Sequence, residues 1–133
     1  MKRIILAGAV LFAATMLVTS CKKDSNNPAS PIPTASRKVK FKAFASSNAK
    51  VSIVVHTNDQ GDSQTHSNVN AQTWESPEMT IPGSVPAVVI GANGQTNDLN
   101  ENGTLTVQII IDGKVVKENV SNGNVLSATA TSY

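Results

Sequence analysis

Two histidines on either side of a predicted turn form the first pair of residues in this chain that could do chemistry. His56 and His66 flank Gly61, and Asp59 and Asp62 lie between them. A hairpin that turns at Gly61 would place the two imidazoles across from each other, close to the carboxylates. Two histidines and a carboxylate are ligands that zinc accepts. Ordinary exposed strand histidines produce the same pattern, and that interpretation is favoured over a metal site.

A second candidate site is an oxygen-rich segment. Asp98, Asn100 and Asn102 precede Gly103 and match the first half of a calcium-binding loop, in which this spacing points several oxygens inward. The complete loop needs a bidentate Glu at its twelfth position, where this chain has Ile109. The sequence therefore favours a polar turn over a calcium site.

The sequence carries no recognisable catalytic motif. Cys21 is the only cysteine, and the chain has no HExxH, no GxSxG and no phosphate-binding loop. We therefore expect a protein that is not an enzyme and that uses no metal or organic cofactor.

Cys21 belongs to a targeting signal. Lys2 and Arg3 precede an apolar run over residues 4–18, which is short for a membrane-spanning helix but suits the apolar region of a signal peptide. The run ends in VTSC at residues 18–21, which resembles a bacterial lipobox: a branched apolar residue, two small residues and the cysteine that receives the lipid. Two or three acyl chains at this cysteine would anchor the protein stably.

The chain thus divides into three parts. Residues 1–20 are predicted to be a lipoprotein signal peptide, residues 21–36 a lipidated cysteine with a flexible tether rich in Ser, Asn and Pro, and residues 37–133 a folded domain. The segment that begins Cys-Lys-Lys-Asp resembles the start of many Bacteroidota lipoproteins. Lys22 stands where an Asp would retain enteric lipoproteins in the inner membrane, so we expect the outer membrane, on either of its faces.

Net charge argues against nucleic acid as a partner. Removal of the signal takes Lys2 and Arg3 and lowers Lys+Arg from 11 to nine, which equals the nine Asp+Glu. A local basic cluster remains beside the tether, where it could face anionic lipid head groups or form a solvated edge strand. Its members are Arg37, Lys38, Lys40 and Lys42.

The elements that must position these residues are β-strands. Residues 37–133 contain 13 Val and six Ile but only three Leu, and β-branched side chains favour strands over helices. Asn-Gly or Asp-Gly dipeptides begin at residues 93, 102, 112 and 122, and each favours a tight hairpin turn. Regularly spaced turns between short strands predict an all-β fold, an immunoglobulin-like antiparallel β-sandwich of about seven strands.

Individual strands follow from alternation and turn signals. The apolar run at residues 86–92 is continuous, which predicts burial on both of its faces. Trp74 is the only Trp, and it is interpreted either as a packing residue or as a ligand platform. The predicted strands cover residues 38–44, 50–57, 64–70, 74–81, 86–92, 104–112, 114–119 and 125–132.

Several features occur in an order that resembles one known family. They are the Val-rich strand at residues 51–55, the turn at Gly61, Trp74 with the strand to Ile81, the hairpin VQIIIDGKVV at 107–116, SNG at 121–123 and the last strand with Ala128. This order resembles the extracytoplasmic domain of the mycobacterial MmpS family. The family uses a transmembrane helix and carries a cysteine pair in its late strands, whereas this chain has a lipobox and a domain without cysteine.

The resemblance implies a small β-sandwich held outside the membrane as an accessory partner of proton-driven exporters. We therefore expect an envelope lipoprotein that acts as a non-catalytic interaction module, with an exporter complex as its partner. The alternative is a surface module that binds glycans or another ligand, for which Trp74 would supply the aromatic contact.

We predict that Cys21 carries a diacylglyceryl thioether in cells that process lipoproteins. Mass spectrometry of the membrane-extracted protein should find Cys21 as an acylated N-terminal residue. The Cys21→Ser variant should keep its signal peptide, because the thiol is the group that is acylated before cleavage. An unmodified Cys21 thiol in the membrane fraction would contradict the prediction.

Overall fold

The computed structural model describes residues 35–133, which form nine β-strands. The predicted signal peptide, Cys21 and all but the end of the predicted tether lie outside the described residues. The strands are β1 (Arg37–Ala45), β2 (Ala49–Thr57), β3 (Ser63–His66), β4 (Thr73–Glu75), β5 (Met79–Ile81), β6 (Val88–Thr96), β7 (Gly103–Ile111), β8 (Lys114–Gly123) and β9 (Val125–Ser132).

Two antiparallel sheets pack face to face. The first sheet has the order β4–β1–β7–β8, and β5 pairs with the other half of β1; the second has the order β3–β2–β6–β9. The predicted all-β sandwich is confirmed. Within residues 35–133, no helix has the length and apolar character needed to cross a bilayer.

The core lies between the sheets and is built by alternation. On β1, every second residue from Arg37 to Ala45 is buried, and Phe41 lies opposite Ile109 of β7. On β6, Ile90 lies opposite Ala130 of β9 in the same way. Burial of one such aliphatic or aromatic side chain stabilises the fold by about 1.5–3 kcal/mol. The alternation therefore holds the two layers together.

The prediction that residues 86–92 are buried on both faces is wrong. Val88 and Ile90 are buried, whereas the side chain between them, Val89, is 36% exposed. A two-layer antiparallel sandwich covers only one face of each sheet, so the other face meets solvent. The turn predicted at Asn93-Gly94 does not form, because both residues lie inside β6.

The predicted strand at residues 74–81 is divided into β4 and β5. Pro77 has no N–H to donate. Ser76 contacts β1 between the two short strands: its N–H donates to the Phe41 carbonyl at 2.9 Å, and its Oγ accepts the Phe41 N–H at 2.9 Å. This division accounts for the difference between the eight strands located from the sequence and the nine observed.

The Asp112-Gly113 turn joins β7 to β8 as predicted. The two residues have φ of 50° and 81°, as a type I′ turn requires. Asp112 also holds the turn to β1, because its N–H donates to the Lys38 carbonyl at 2.9 Å and its Oδ1 accepts the Lys38 N–H at 3.1 Å.

Strands β8 and β9 form one lateral side of the sandwich, and side chains link them there. Asn119 Nδ2 donates to the Thr129 carbonyl at 2.8 Å, and Ser121 Oγ accepts the Ser127 N–H at 3.2 Å. These contacts satisfy backbone groups on the open side of β9. They thereby reduce the tendency of an edge strand to pair with another chain.

Two glycines of β6 have opposite surroundings. A Cβ added at Gly94 would lie 2.4 Å from the Lys50 carbonyl oxygen, because a register shift between Val51 and Ile53 brings β2 close. A Cβ added at Gly91 would meet only Thr129 Oγ1, at 3.5 Å, which is an ordinary contact.

We predict opposite effects of alanine at these two positions. Gly94→Ala should lower the free energy of unfolding by about 1–3 kcal/mol, the range for overpacking. Gly91→Ala should leave it unchanged or raise it by about 0.4–1 kcal/mol, because alanine restricts the unfolded chain. Urea unfolding of both variants tests this. If Gly91→Ala lowered the free energy of unfolding as much as Gly94→Ala does, the space described around Gly91 would be wrong.

Candidate functional site

Four aromatic rings meet at the lateral side of the sandwich opposite to β8 and β9. Here β3 and β4 are the edge strands of the two sheets. Phe41 and Trp74 come from the first sheet, and His56 and His66 come from the second. Ring centroids are 5.0 Å apart for Phe41–His56, 5.4 Å for His56–Trp74 and 5.0 Å for His66–Trp74. We call these four residues the aromatic seam.

Strand register explains how the histidines reach the seam. His56 is buried, two residues after buried Val54, and His66 lies opposite Val54 on β3. The two histidines are therefore diagonal neighbours on one face of the sheet. The sequence predicted that they lie directly across from each other, but the residue opposite His56 is Gln64.

The predicted carboxylates do not join the histidines. Asp59 and Asp62 lie in the exposed β2–β3 turn. Within residues 35–133, no group of three or more His, Cys, Asp or Glu side chains is arranged to hold a metal ion. The zinc arrangement considered from the sequence, two histidines with a carboxylate, is thus not formed here.

Hydrogen bonds define the protonation pattern of the histidine pair. His56 Nδ1 lies 2.9 Å from the Thr57 carbonyl, and His56 Nε2 lies 3.1 Å from His66 Nε2. A carbonyl only accepts, so Nδ1 of His56 carries the proton and donates it. Nε2 of neutral His56 is then an acceptor, and it receives the N–H of His66 Nε2.

Burial shifts the titration of His56. Its side chain is only 3% exposed, and this burial lowers the pKa of His56 below the ordinary value because charging a buried imidazole costs solvation. The hydrogen bond to the Thr57 carbonyl opposes the shift, and repulsion from His66 adds to it. His56 is therefore neutral at neutral pH.

A groove lies on the outer face of the second sheet. Its centre is Gly91, which pairs with Val55 on one side and with Thr129 on the other and contributes no side chain. The cavity measures about 350 Å³. We call this cavity the groove. Its lining residues are Val55, His56, Thr57, Gly61, Ser63, Ala87, Val89, Gly91 and Thr129.

The lining of the groove is mainly aliphatic, with a few hydroxyl groups. Val55 and Val89 are each 36% exposed and supply an apolar surface. Thr57, Ser63 and Thr129 add hydroxyl groups. The volume is at the lower end of the roughly 300–1,000 Å³ range of ligand pockets. The only titratable lining residue is His56, whose two ring nitrogens are already engaged.

The predicted basic cluster is not one exposed surface. Arg37 faces the core as the first residue of the β1 alternation and is 7% exposed, with Nη2 donating to the Val85 carbonyl at 3.1 Å. Among the described residues, its buried Nε has no hydrogen-bond partner. Strand β1 is also central rather than an edge strand, contrary to the alternative drawn from the sequence.

The lysines of this cluster are paired with acidic residues of the neighbouring short strands. Lys38 Nζ lies 3.4 Å from Glu78, while Lys40 and Lys42 lie 2.5 Å and 3.1 Å from the two oxygens of Glu75. Hydrogen bonds from Lys40, and then from Lys42, lower the pKa of Glu75. A contact with anionic head groups stays a prediction, and these carboxylates would weaken it.

The predicted calcium segment forms a loop closed by its own hydrogen bonds. Asp98 Oδ1 accepts the backbone N–H and the side-chain N–H of Asn100, each at 2.9 Å. The Asn102 carbonyl accepts a hydrogen bond from Asn48 Nδ2 at 3.1 Å. The contacts between Asp98 and Asn100 have the geometry of an Asx turn, in which a side chain replaces a backbone acceptor.

Sequence reasoning singled out the two histidines and, separately, Trp74, but it missed Phe41, the groove and the meeting of the four rings in one seam. The signal for the groove was Gly91, which interrupts a run of Val and Ile on β6. Phe41 and Trp74 gave no signal of a shared site, because they lie on β1 and β4 of the other sheet and reach the histidines only through sheet packing.

Comparison with known proteins adds no assignment. No protein-family model matches this chain, and no curated protein matches it. The resemblance to the MmpS family therefore stays a prediction from the order of sequence features.

We predict that stability falls as the pH is lowered through 6.5. In the unfolded chain His56 takes up a proton near its ordinary pKa of 6.5, whereas in the folded protein its pKa is lower. The unfolded state then binds more protons, so the free energy of unfolding decreases with falling pH. Urea unfolding between about pH 7.5 and 5.5 should show this decrease. The His56→Gln variant should show a smaller one; an equal slope would contradict the prediction.

Proposed function

We propose that this protein is a lipid-anchored, non-catalytic interaction module of the cell envelope, and that its partner binds in the groove. The observation that carries the proposal is the depression at Gly91, where two exposed valines flank a strand position without a side chain. Its aliphatic and hydroxyl lining suits contact with a protein segment and offers no free acid, base or nucleophilic thiol.

The partner we propose is an envelope protein that presents a short extended segment with an apolar side chain. Val55 and Val89 supply apolar surface, and Thr129 and Ser63 supply hydroxyl groups for the backbone of such a segment. The resemblance to the MmpS family supports an exporter complex as the source of this segment. The predicted lipid at Cys21 would keep the domain beside such a complex.

The alternative of a glycan-binding module has less support. Sugar rings usually stack on exposed aromatic faces, but Trp74 is half-buried and lies against both histidines of the seam. Phe44 is half-buried as well, and Lys42 Nζ lies 5.6 Å from its ring centroid. Tyr133 is exposed, but it belongs neither to the seam nor to the lining of the groove.

A site-specific crosslink tests the proposal. A photo-activatable residue is placed at Val89 in the full-length lipoprotein, and in a matched variant at Val116 of β8, which is exposed to a similar degree at 42%. We expect a discrete crosslink in cells from position 89 and none from position 116. Mass spectrometry should identify the captured protein as an exporter component.

A groove-filling substitution provides the control. Gly91→Val places its extra atoms in the groove, and the Cβ meets only Thr129 Oγ1. It should abolish the position-89 crosslink while the thermal melt stays cooperative. Equal crosslinks from both positions, or a crosslink that survives Gly91→Val in a folded protein, would refute the groove as the binding site.

A further inference from the structure

We propose that His56 and His66 form a binding site for monovalent copper, Cu(I), held between their two Nε2 atoms. The inference concerns the seam and does not depend on a partner in the groove. It rests on the placement of the two nitrogens, on the hydrogen bond behind His56 and on the aromatic walls around the pair.

The orientation of the rings points to a linear, two-coordinate ion. The ring planes differ by only 8° and the ring centroids are 5.2 Å apart, while the two Nε2 atoms are 3.1 Å apart. The nitrogens therefore lie between the ring centres and face each other. A d¹⁰ monovalent ion such as Cu(I) accepts two nitrogen ligands on opposite sides.

Zinc fits this arrangement less well. Zinc sites in proteins are almost always tetrahedral and use at least three protein ligands. Within residues 35–133 no third His, Cys, Asp or Glu joins the pair. A tetrahedral ion would lie to one side of the line that joins the two Nε2 atoms. Because the lone pairs of these atoms face each other along that line, they do not converge on such a position.

The tautomer and ring orientation of His56 already suit a metal ligand. Its Nδ1–H donates to the Thr57 carbonyl at 2.9 Å, which directs the Nε2 lone pair toward His66. Metal-binding histidines in proteins usually have such a partner for the other ring nitrogen, since it fixes tautomer and orientation. The Thr57 carbonyl thus acts as a positioning group.

Binding requires a proton shift and a small movement of His66. The proton on His66 Nε2 moves to Nδ1 of the same ring, so both Nε2 lone pairs face the ion and no net proton is released. Two metal–nitrogen bonds of about 2.0 Å in line need a separation of roughly 4 Å between the nitrogens. His66 can move outward because it is half-exposed at the end of the four-residue edge strand β3.

The aromatic neighbours of the two histidines favour a weakly hydrated ion. The Trp74 ring lies against both imidazoles, and Phe41 lies against His56. Indole is the best of the aromatic side chains at attracting a cation to its face. Cu(I) is weakly hydrated, so these walls disfavour it less than they would a divalent ion.

The sole tryptophan makes the site observable. We would titrate the full chain, purified in detergent and carrying Cys21→Ser so that no thiol competes, with Cu(I) under anaerobic conditions against a chromophoric Cu(I) chelator. We expect one Cu(I) per chain and quenching of Trp74 fluorescence that saturates at the same ratio.

Two variants distinguish Cu(I) binding at the histidine pair from Cu(I) binding at other side chains. His66→Gln removes one ligand on an edge strand, and it should weaken Cu(I) binding by more than the roughly 10–100-fold that loss of a positioning partner costs. Met79 packs against the core and carries the only thioether among the described residues. The Met79→Leu variant removes this thioether and should bind Cu(I) as tightly as the parent protein does.

Nuclear magnetic resonance of ¹⁵N-histidine in the parent protein needs no substitution. Cu(I) should shift both Nε2 resonances while the His56 Nδ1 resonance keeps its protonated position. Unchanged Nε2 resonances, undiminished binding by folded His66→Gln, or saturation by Zn(II) with no response to Cu(I) would each overturn the proposal.

Discussion

The structure depends on the burial of alternate side chains from two sheets in one shared core. Phe41 and Ile109 of the first sheet, together with Val54 and Ile90 of the second, are fully buried between the layers. Because each sheet has one covered face, every second residue of a central strand is available for other contacts. This constraint explains why Val89 is exposed between buried neighbours, and why Arg37, in phase with the core, is buried despite its charge.

A sandwich of two sheets has two lateral sides, and this protein closes them with different chemistry. On one side, amide and hydroxyl groups of β8 satisfy backbone groups of β9. On the other side, the aromatic seam fills the space between β3 and β4. An imidazole suits this place because it packs against aromatic rings and still forms hydrogen bonds through its nitrogens. The lowered pKa of His56 and the facing nitrogens both follow from this use of histidine in packing.

The groove has a different origin, on the solvent-facing side of the second sheet. Gly91 leaves a gap between Val55 and Thr129, whereas Gly94, three residues further along the same strand, is required by the close approach of the Lys50 carbonyl. One glycine therefore serves the fold, and the other creates a surface feature that the fold does not need. His56 is common to both only as a residue of β2, because its ring points inward to the seam while its neighbour Val55 faces the groove.

The sequence by itself determined the features that depend on near neighbours along the chain. Alternating β-branched residues specified an all-β domain, Asp112-Gly113 specified a hairpin turn, and the turn near Gly61 placed His66 close to His56. Only the tertiary structure decided which strands share a sheet. That order made β1 central, gave Lys40 and Lys42 the carboxylate of Glu75, and brought Phe41 and Trp74 to the histidines. The reason is physical: alternation and turn preference are local properties of the backbone, whereas contacts across a sandwich depend on how distant strands pair and pack.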